Sequence, residues 1–188
     1  MTFVRALMLV GAVVTAIQLT GCAAPATSQA MTVQSGAVAT ASSALKGTVK
    51  VSEISGGKET NPMWTSQVDG PEFKKALSDS LNIAGYLAAD PSAAKYDVKA
   101  KLLGLDQPMF GLTFDVKSSV EYQVSGAGVA KTIPISATGT ATTSDAFAGV
   151  ARLRIANERS ILENIKAFLT ELGKVVAPAM ASSAPAAK

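Results

Sequence analysis

Ser55-Gly56-Gly57-Lys58 places a hydroxyl three residues ahead of an amine, the spacing at which a lysine one helical turn away can take the proton of a serine nucleophile. The two glycines between them favour a turn over a helix, and no supporting second and third motifs follow, so acyl transfer at this place is weakly supported. Histidine is absent from all 188 residues, which removes the commonest general base and the commonest transition-metal ligand. The single cysteine, Cys22, allows no disulfide framework and no thiolate metal cluster. The residue types therefore point away from an enzyme, and they imply no metal and no cofactor.

Three further places suit contact better than catalysis. Met63-Trp64 sits in a long connection, where an indole either clamps a glycan or acyl chain or lids the open end of a core. Met109-Phe110 occupies a hairpin tip, which either inserts into a membrane or partner or folds back onto a neighbour. On a helical wheel Arg154 falls among Val150, Ile161, Ile165 and Leu172, so its guanidinium must be paired or must reach outward to water. Glu158, one turn on, is the nearest partner, and Arg154 with Glu158 reads as a structural polar anchor flanked by Asn157 and Asn164. The 17 basic and 14 acidic residues are scattered, which argues against a nucleic-acid groove.

The elements that must position these residues follow from periodicity. Residues 46 to 54 alternate as a first strand. Asp69-Gly70-Pro71-Glu72 starts a helix with a capping aspartate, a first-turn proline and a box-like glutamate. Phe73, Leu77, Leu81 and Ala84 form its apolar stripe, and Gly85 ends it. A strand over 95 to 107 carries a bend or bulge at Gly104, and a third over 112 to 125 turns Leu112, Phe114, Val116, Val120, Tyr122 and Val124 one way. Residues 129 to 142 form a fourth, with Pro134 marking an edge. A long helix from about Asp145 to Gly173 buries Val150, Leu153, Ile161, Ile165, Phe168 and Leu172, with Arg159 and Glu163 paired outside. The expected fold is α+β, in the order β-α-β-β-β-α. A mainly antiparallel four-stranded sheet carries both helices on one face as a two-layer sandwich.

Ahead of this domain, an apolar run follows Arg5 and closes on Leu19-Thr20-Gly21-Cys22. The stretch from Ala6 to Ile17 is too short for a bilayer span of about 20 residues and fits the core of a secretory signal. Leu19 to Cys22 resembles the lipobox of bacterial lipoproteins. The resemblance implies removal of residues 1–21, a diacylglyceryl group on the Cys22 sulfur and acylation of its new amino group. Such a product is held stably on a membrane. Ala23 after the cysteine implies, under enterobacteria-like sorting, a periplasm-facing place on the outer membrane. Rival readings make Cys22 an ordinary buried cysteine, or place ordinary cleavage near Ala23 and Ala24; its uniqueness and position favour the lipobox. Residues 22–45, rich in Ala, Ser, Thr and Gln, read as the lipidated cysteine and a flexible linker. Residues 46–175 read as one domain and 176–188 as a disordered tail.

The element order, the helix from Phe73 ending in Gly85-Tyr86, and the pattern Arg154, Asn164-Ile165, Phe168-Leu169 are similar to envelope lipoproteins of the YajG type. This resemblance covers about residues 46 to 173 and implies an outer-membrane lipoprotein of undefined biochemical role. Two functions are open on the sequence. One is an envelope interaction or structural module that docks a partner on its open sheet face, its edge strand or the Met109-Phe110 tip. The alternative is a periplasmic binding protein for an amphiphile or cell-wall fragment held near Trp64. A cavity lined by Trp64, Phe73 and Phe168 would favour binding, and a filled core would favour the module. The expected partners are the membrane, through the N-terminal lipid, and an envelope protein, lipid or glycan.

Overall fold

The computed structural model describes residues 22–37, 42–63 and 65–182, the last six as backbone alone. The expected leader (residues 1–21), residues 38–41, Trp64 and residues 183–188 lie outside the described residues. The elements are β1 (Val49–Gly56), α1 (Gly70–Ile83), β2 (Tyr96–Asp106), β3 (Phe114–Gly126), β4 (Val129–Ala141) and α2 (Gly149–Ser182). The sheet order is β1-β2-β3-β4. β1 pairs in parallel with β2, because the α1 crossover returns the chain in the same direction, and the other two pairs are antiparallel. The expected two-layer α+β architecture is what forms.

Alternation sets which face is buried. In β3, Phe114, Val116, Ser118, Val120, Tyr122 and Val124 are buried while Asp115, Lys117, Gln123 and Ser125 are exposed. Ser118 is accommodated because its hydroxyl donates to Ser160 O at 3.0 Å, where α2 crosses the sheet. Asn164 completes this buried patch, accepting from the Tyr122 hydroxyl at 2.9 Å and donating to Ile135 O at 3.1 Å. Burial pushes the Tyr122 phenol well above its ordinary range, so it stays a neutral donor. The α2 backbone also lies directly on β4 at Gly139. A Cβ there would stand 2.2 Å from Ser160 N and 2.4 Å from Ala156 O. Only glycine permits that approach. In β2, the ladder shifts register between Leu102 and Gly104, the irregularity expected at that glycine.

Several expectations are corrected. Leu112 is exposed, because β3 begins two residues later, at Phe114. The long helix starts at Gly149 and runs through the expected tail to Ser182, with Val176 fully buried. Arg159 pairs with Asp145 at 2.6 Å, and Glu163 pairs with Lys166.

The largest departure is the segment expected as a flexible linker. In its described part, residues 22–37 and 42–45, the chain is a strap that packs against both helices. Ala26, Met31, Val33 and Leu45 join the main core with Phe73, Leu77, Phe168 and Leu172. Side chains of the domain satisfy the strap's backbone. Thr27 N donates to Glu158 Oε1 at 3.0 Å, Ser28 N to the Glu72 carboxylate, Val33 N to Ser80 Oγ at 3.0 Å and Ser42 N to the Tyr86 hydroxyl at 2.9 Å. One helical turn, Ser28–Met31, contacts both α1 and α2. An extended segment held this way needs small residues and a few apolar plugs, and that composition mimics a linker.

Candidate functional site

Strand directions place one set of connections together. β1 and β2 end, β3 begins and β4 ends at the same edge of the domain, where α1 and α2 also start. The loops 57–69, 107–113 and 142–148 meet there and form the loop end of the domain. Asp69 caps α1, accepting from Glu72 N at 2.8 Å, but Glu72 turns its carboxylate to the strap instead of closing a capping box.

The loops are tied by polar side chains, the half-buried Gln107 and the buried Asn157 and Arg152. Gln107 donates from Nε2 to Ser66 O at 3.0 Å and to Asn157 Oδ1 at 2.8 Å, and its Oε1 accepts from Gln67 Nε2 at 3.1 Å. Asn157 Nδ2 donates to the same Ser66 carbonyl at 2.9 Å. Arg152 ties 107–113 to 142–148. Its guanidinium is buried and donates to Ala146 O at 3.0 Å, to Phe147 O and to Gly111 O at 3.2 Å, while resting 5.3 Å from the centre of the Phe114 ring. Below it, Phe114, Val116, Ala141, Leu153 and Ala156 form a small core of their own.

This arrangement corrects the anchor expected at Arg154 and Glu158. Arg154 is only half-buried and forms no ion pair with Glu158. Glu158 is buried but serves the strap at Thr27. The buried arginine is Arg152, two residues earlier, because the loops fold over the first turn of α2 and no helical wheel includes them.

Among the described residues, the structure sets at one end contact candidates that lie far apart in the sequence. Cys22 is exposed, and the strap begins beside the Met63 turn through Ala23 N to Pro62 O at 2.7 Å. Met63 is exposed on that turn, whose bend is closed by Met63 N to Asn61 Oδ1 at 3.0 Å. Met109 is 91% exposed and Phe110 84%. Two residues that sequence reasoning missed join them, Leu112 at 76% and Phe147 at 95%. Leu112 was read as the first inward residue of β3 and Phe147 as part of a helix. Both are set outside by where the elements start. Trp64, the remaining contact candidate, lies outside the described residues.

Among the described residues, the core around Phe168 is closely packed. Phe73 and Phe168 have no exposure, and Phe168 stacks on Tyr122 with ring centres 3.9 Å apart. Ser55 and Lys58 stand on either side of a turn through Gly56 and Gly57, at φ of 74° and 82°, and both are exposed. That geometry is not the helical turn a serine–lysine pair requires. Among the described residues no group of three Asp, Glu or Cys side chains is placed to hold a metal ion, and no helix is long and apolar enough to cross a membrane.

No protein-family model and no curated protein matches the sequence. Solved structures do match. A Xanthomonas campestris protein, XCC0632, of the family DUF330, superposes with a TM-score of 0.51 at 10% identity, over 86% of this chain and 99% of its own. A "putative lipoprotein" from Caulobacter crescentus CB15 gives 0.49 at 17% identity, over 79% and 100%. The hypothetical protein CT253 from Chlamydia trachomatis gives 0.48 at 12% identity, over 71% and 99%. The chain shares its fold with the Xanthomonas protein. At these identities the likeness concerns the fold alone.

Proposed function

We propose that the protein is a lipid-anchored lipoprotein of the bacterial envelope, held by Cys22 on the periplasmic face of the outer membrane, and that its domain is an interaction or structural module without catalytic activity. The observation that carries the anchoring is the position of Cys22. The sole cysteine of the chain follows Leu19-Thr20-Gly21, and it stands exposed, one residue ahead of the Ala23 amide that donates to Pro62 O. A thiol there can be alkylated without disturbing the core.

The module reading is supported by the complete burial of Phe73 and Phe168, with Phe168 stacked on Tyr122, in the described core. It is also supported by the open outer face of the sheet, where Lys99, Lys101, Lys117 and Gln123 are exposed to solvent beside the carboxylates of Glu53 and Asp115. A partner would meet a mixed-charge surface there, one suited to a polar, reversible contact.

Metabolic labelling with an alkyne fatty acid tests the anchor. The native chain is expected to label and to fractionate with membranes, and Cys22→Ser is expected to do neither. Equal labelling of both would sink the reading. Crosslinking in intact envelopes through the outer sheet face tests the module; a free small amphiphile as the only captured species would favour the binding-protein alternative.

A further inference from the structure

We propose that the loop end is a membrane-facing foot, in which Met109, Phe110, Leu112 and Phe147 enter the acyl region of the bilayer beside the lipid on Cys22. The inference rests on the anchoring reading for Cys22 and adds to it an orientation and a second set of membrane contacts.

Five of the seven exposed large hydrophobic side chains among the described residues, Met63, Met109, Phe110, Leu112 and Phe147, belong to the three connections at this end. A soluble domain scatters exposed apolar residues singly, whereas a cluster marks a surface that something covers. What covers it follows from where the chain arrives. The Ala23 amide, one residue past the anchoring cysteine, is fixed to Pro62 at the same end, and the strap then runs away from it along both helices. With no slack between Cys22 and the fold, a lipid on its sulfur holds this end against the bilayer. A flexible tether, by contrast, would leave the domain free to turn.

The chemistry of the tips fits an apolar phase. The connection Gln107-Pro108-Met109-Phe110-Gly111-Leu112-Thr113 carries no charged side chain. Backbone carbonyls at the tips are costly in acyl chains unless they are bonded internally. Here the buried Arg152 guanidinium bonds Gly111 O, Phe147 O and Ala146 O from beneath, so these carbonyls need no water. The same side chain therefore holds the two loops in register and makes their tips less dependent on solvent. A second protein copy would also bury the cluster, but the fixed position of Cys22 sets this surface toward lipid.

The test uses the full chain, expressed with its leader and purified, with a tryptophan added as a reporter at Phe110→Trp, Phe147→Trp or, at the opposite end, Lys131→Trp. Protein is held on phosphatidylcholine vesicles whose acyl chains carry bromine, a contact quencher, and the emission of the unsubstituted protein is subtracted. Intact mass reports separately whether Cys22 carries lipid. If it carries none, the bare thiol is coupled to a maleimide phospholipid in the same vesicles, so that the foot is tested whether or not cells lipidate the cysteine. Most of the added emission is expected to be lost at 110 and 147 and retained at 131. Full emission at both 110 and 147 on vesicle-held protein would overturn the proposal. So would vesicle-independent self-association that disappears in Phe110→Ser with Phe147→Ser, since it would make a second copy the occupant. A bare thiol in cells, with quenching after coupling, would sink the anchoring reading and leave the foot standing. Met109→Trp repeats the measurement if either aromatic replacement unfolds the protein.

Discussion

The two ends of the same sheet are built in opposite ways. At the hairpin end, β3 and β4 are joined by a tight turn through Gly126, Ala127 and Gly128, and its shape is held by backbone conformation alone. At the loop end, connections of several residues are held by side chains reaching from inside: Gln107, Asn157 and Arg152 each bond two or more backbone or side-chain groups across loops. A tight turn leaves nothing to present. A longer connection can hold apolar side chains outward, provided that its own polar groups are satisfied from below.

Replacing an apolar residue of the small core under the loops should have the largest effect. Val116→Asp puts an unpaired charge between β3 and α2 and is expected to cost about 4 kcal/mol in denaturant melts. Lys117→Asp, one residue along on the open face, is expected to cost less than about 0.5 kcal/mol. If Lys117→Asp were the more harmful, the outer face would be covered and the two-layer description would fail.

Next comes the loop staple. Arg152→Ala removes three charge-assisted bonds to carbonyls and is expected to cost about 3 kcal/mol. Amide hydrogen exchange should speed up in 107–113 and 142–148 and stay unchanged in 126–130. Uniform acceleration at both ends would mean that the ends are not held independently. The hairpin end has its own weak point in Gly126, at φ 119°, where a Cβ would stand 2.1 Å from Lys95 O. Gly126→Ala is expected to cost about 2 kcal/mol and to loosen that end alone. A neutral melt would show that the turn can shift at no cost.

Smaller effects should separate presentation from stability. Phe147→Ser, at a side chain almost wholly in solvent, should change stability by less than about 0.5 kcal/mol. A larger loss would mean that this ring packs against the fold. Asp145 gives a pH dependence to the loop end. Its bonds with the Arg159 guanidinium and the Thr142 amide hold its carboxyl at about 2, below the ordinary 3.8. A carboxyl depressed in the folded state contributes stability that is complete above 3.8 and is lost as pH falls toward 2. A small acid-limb loss of stability in that window is expected for the native chain and not for Asp145→Asn. Identical acid limbs would show that the pair contributes nothing.

Alternation and helical spacing, which act between near neighbours, determined much of this protein. They are visible in the inward set from Phe114 to Val124, the Asp69 cap, the bulge beside Gly104, and the order β-α-β-β-β-α. Met109 and Phe110 were legible as a hairpin tip and Met63 as part of a long connection, but whether these side chains stand outward or fold back depends on the tertiary structure, which exposes all three. What tertiary structure decided depends on groups far apart in the chain. The strap carries no periodicity of its own, since its amides bond to Glu158, Glu72, Ser80 and Tyr86 and its plugs fit gaps made by two helices. A helical wheel set Arg154 in the core and missed Arg152, because that arginine is buried by loops 107–113 and 142–148, not by its own helix. Gly139 reads as an ordinary strand glycine until α2 is laid across it. The gathering of five exposed hydrophobic residues at one end follows from strand direction: the antiparallel run β2-β3-β4 sets 107–113 and 142–148 together, and the parallel pairing of β1 with β2, across the α1 crossover, brings 57–69 to the same end.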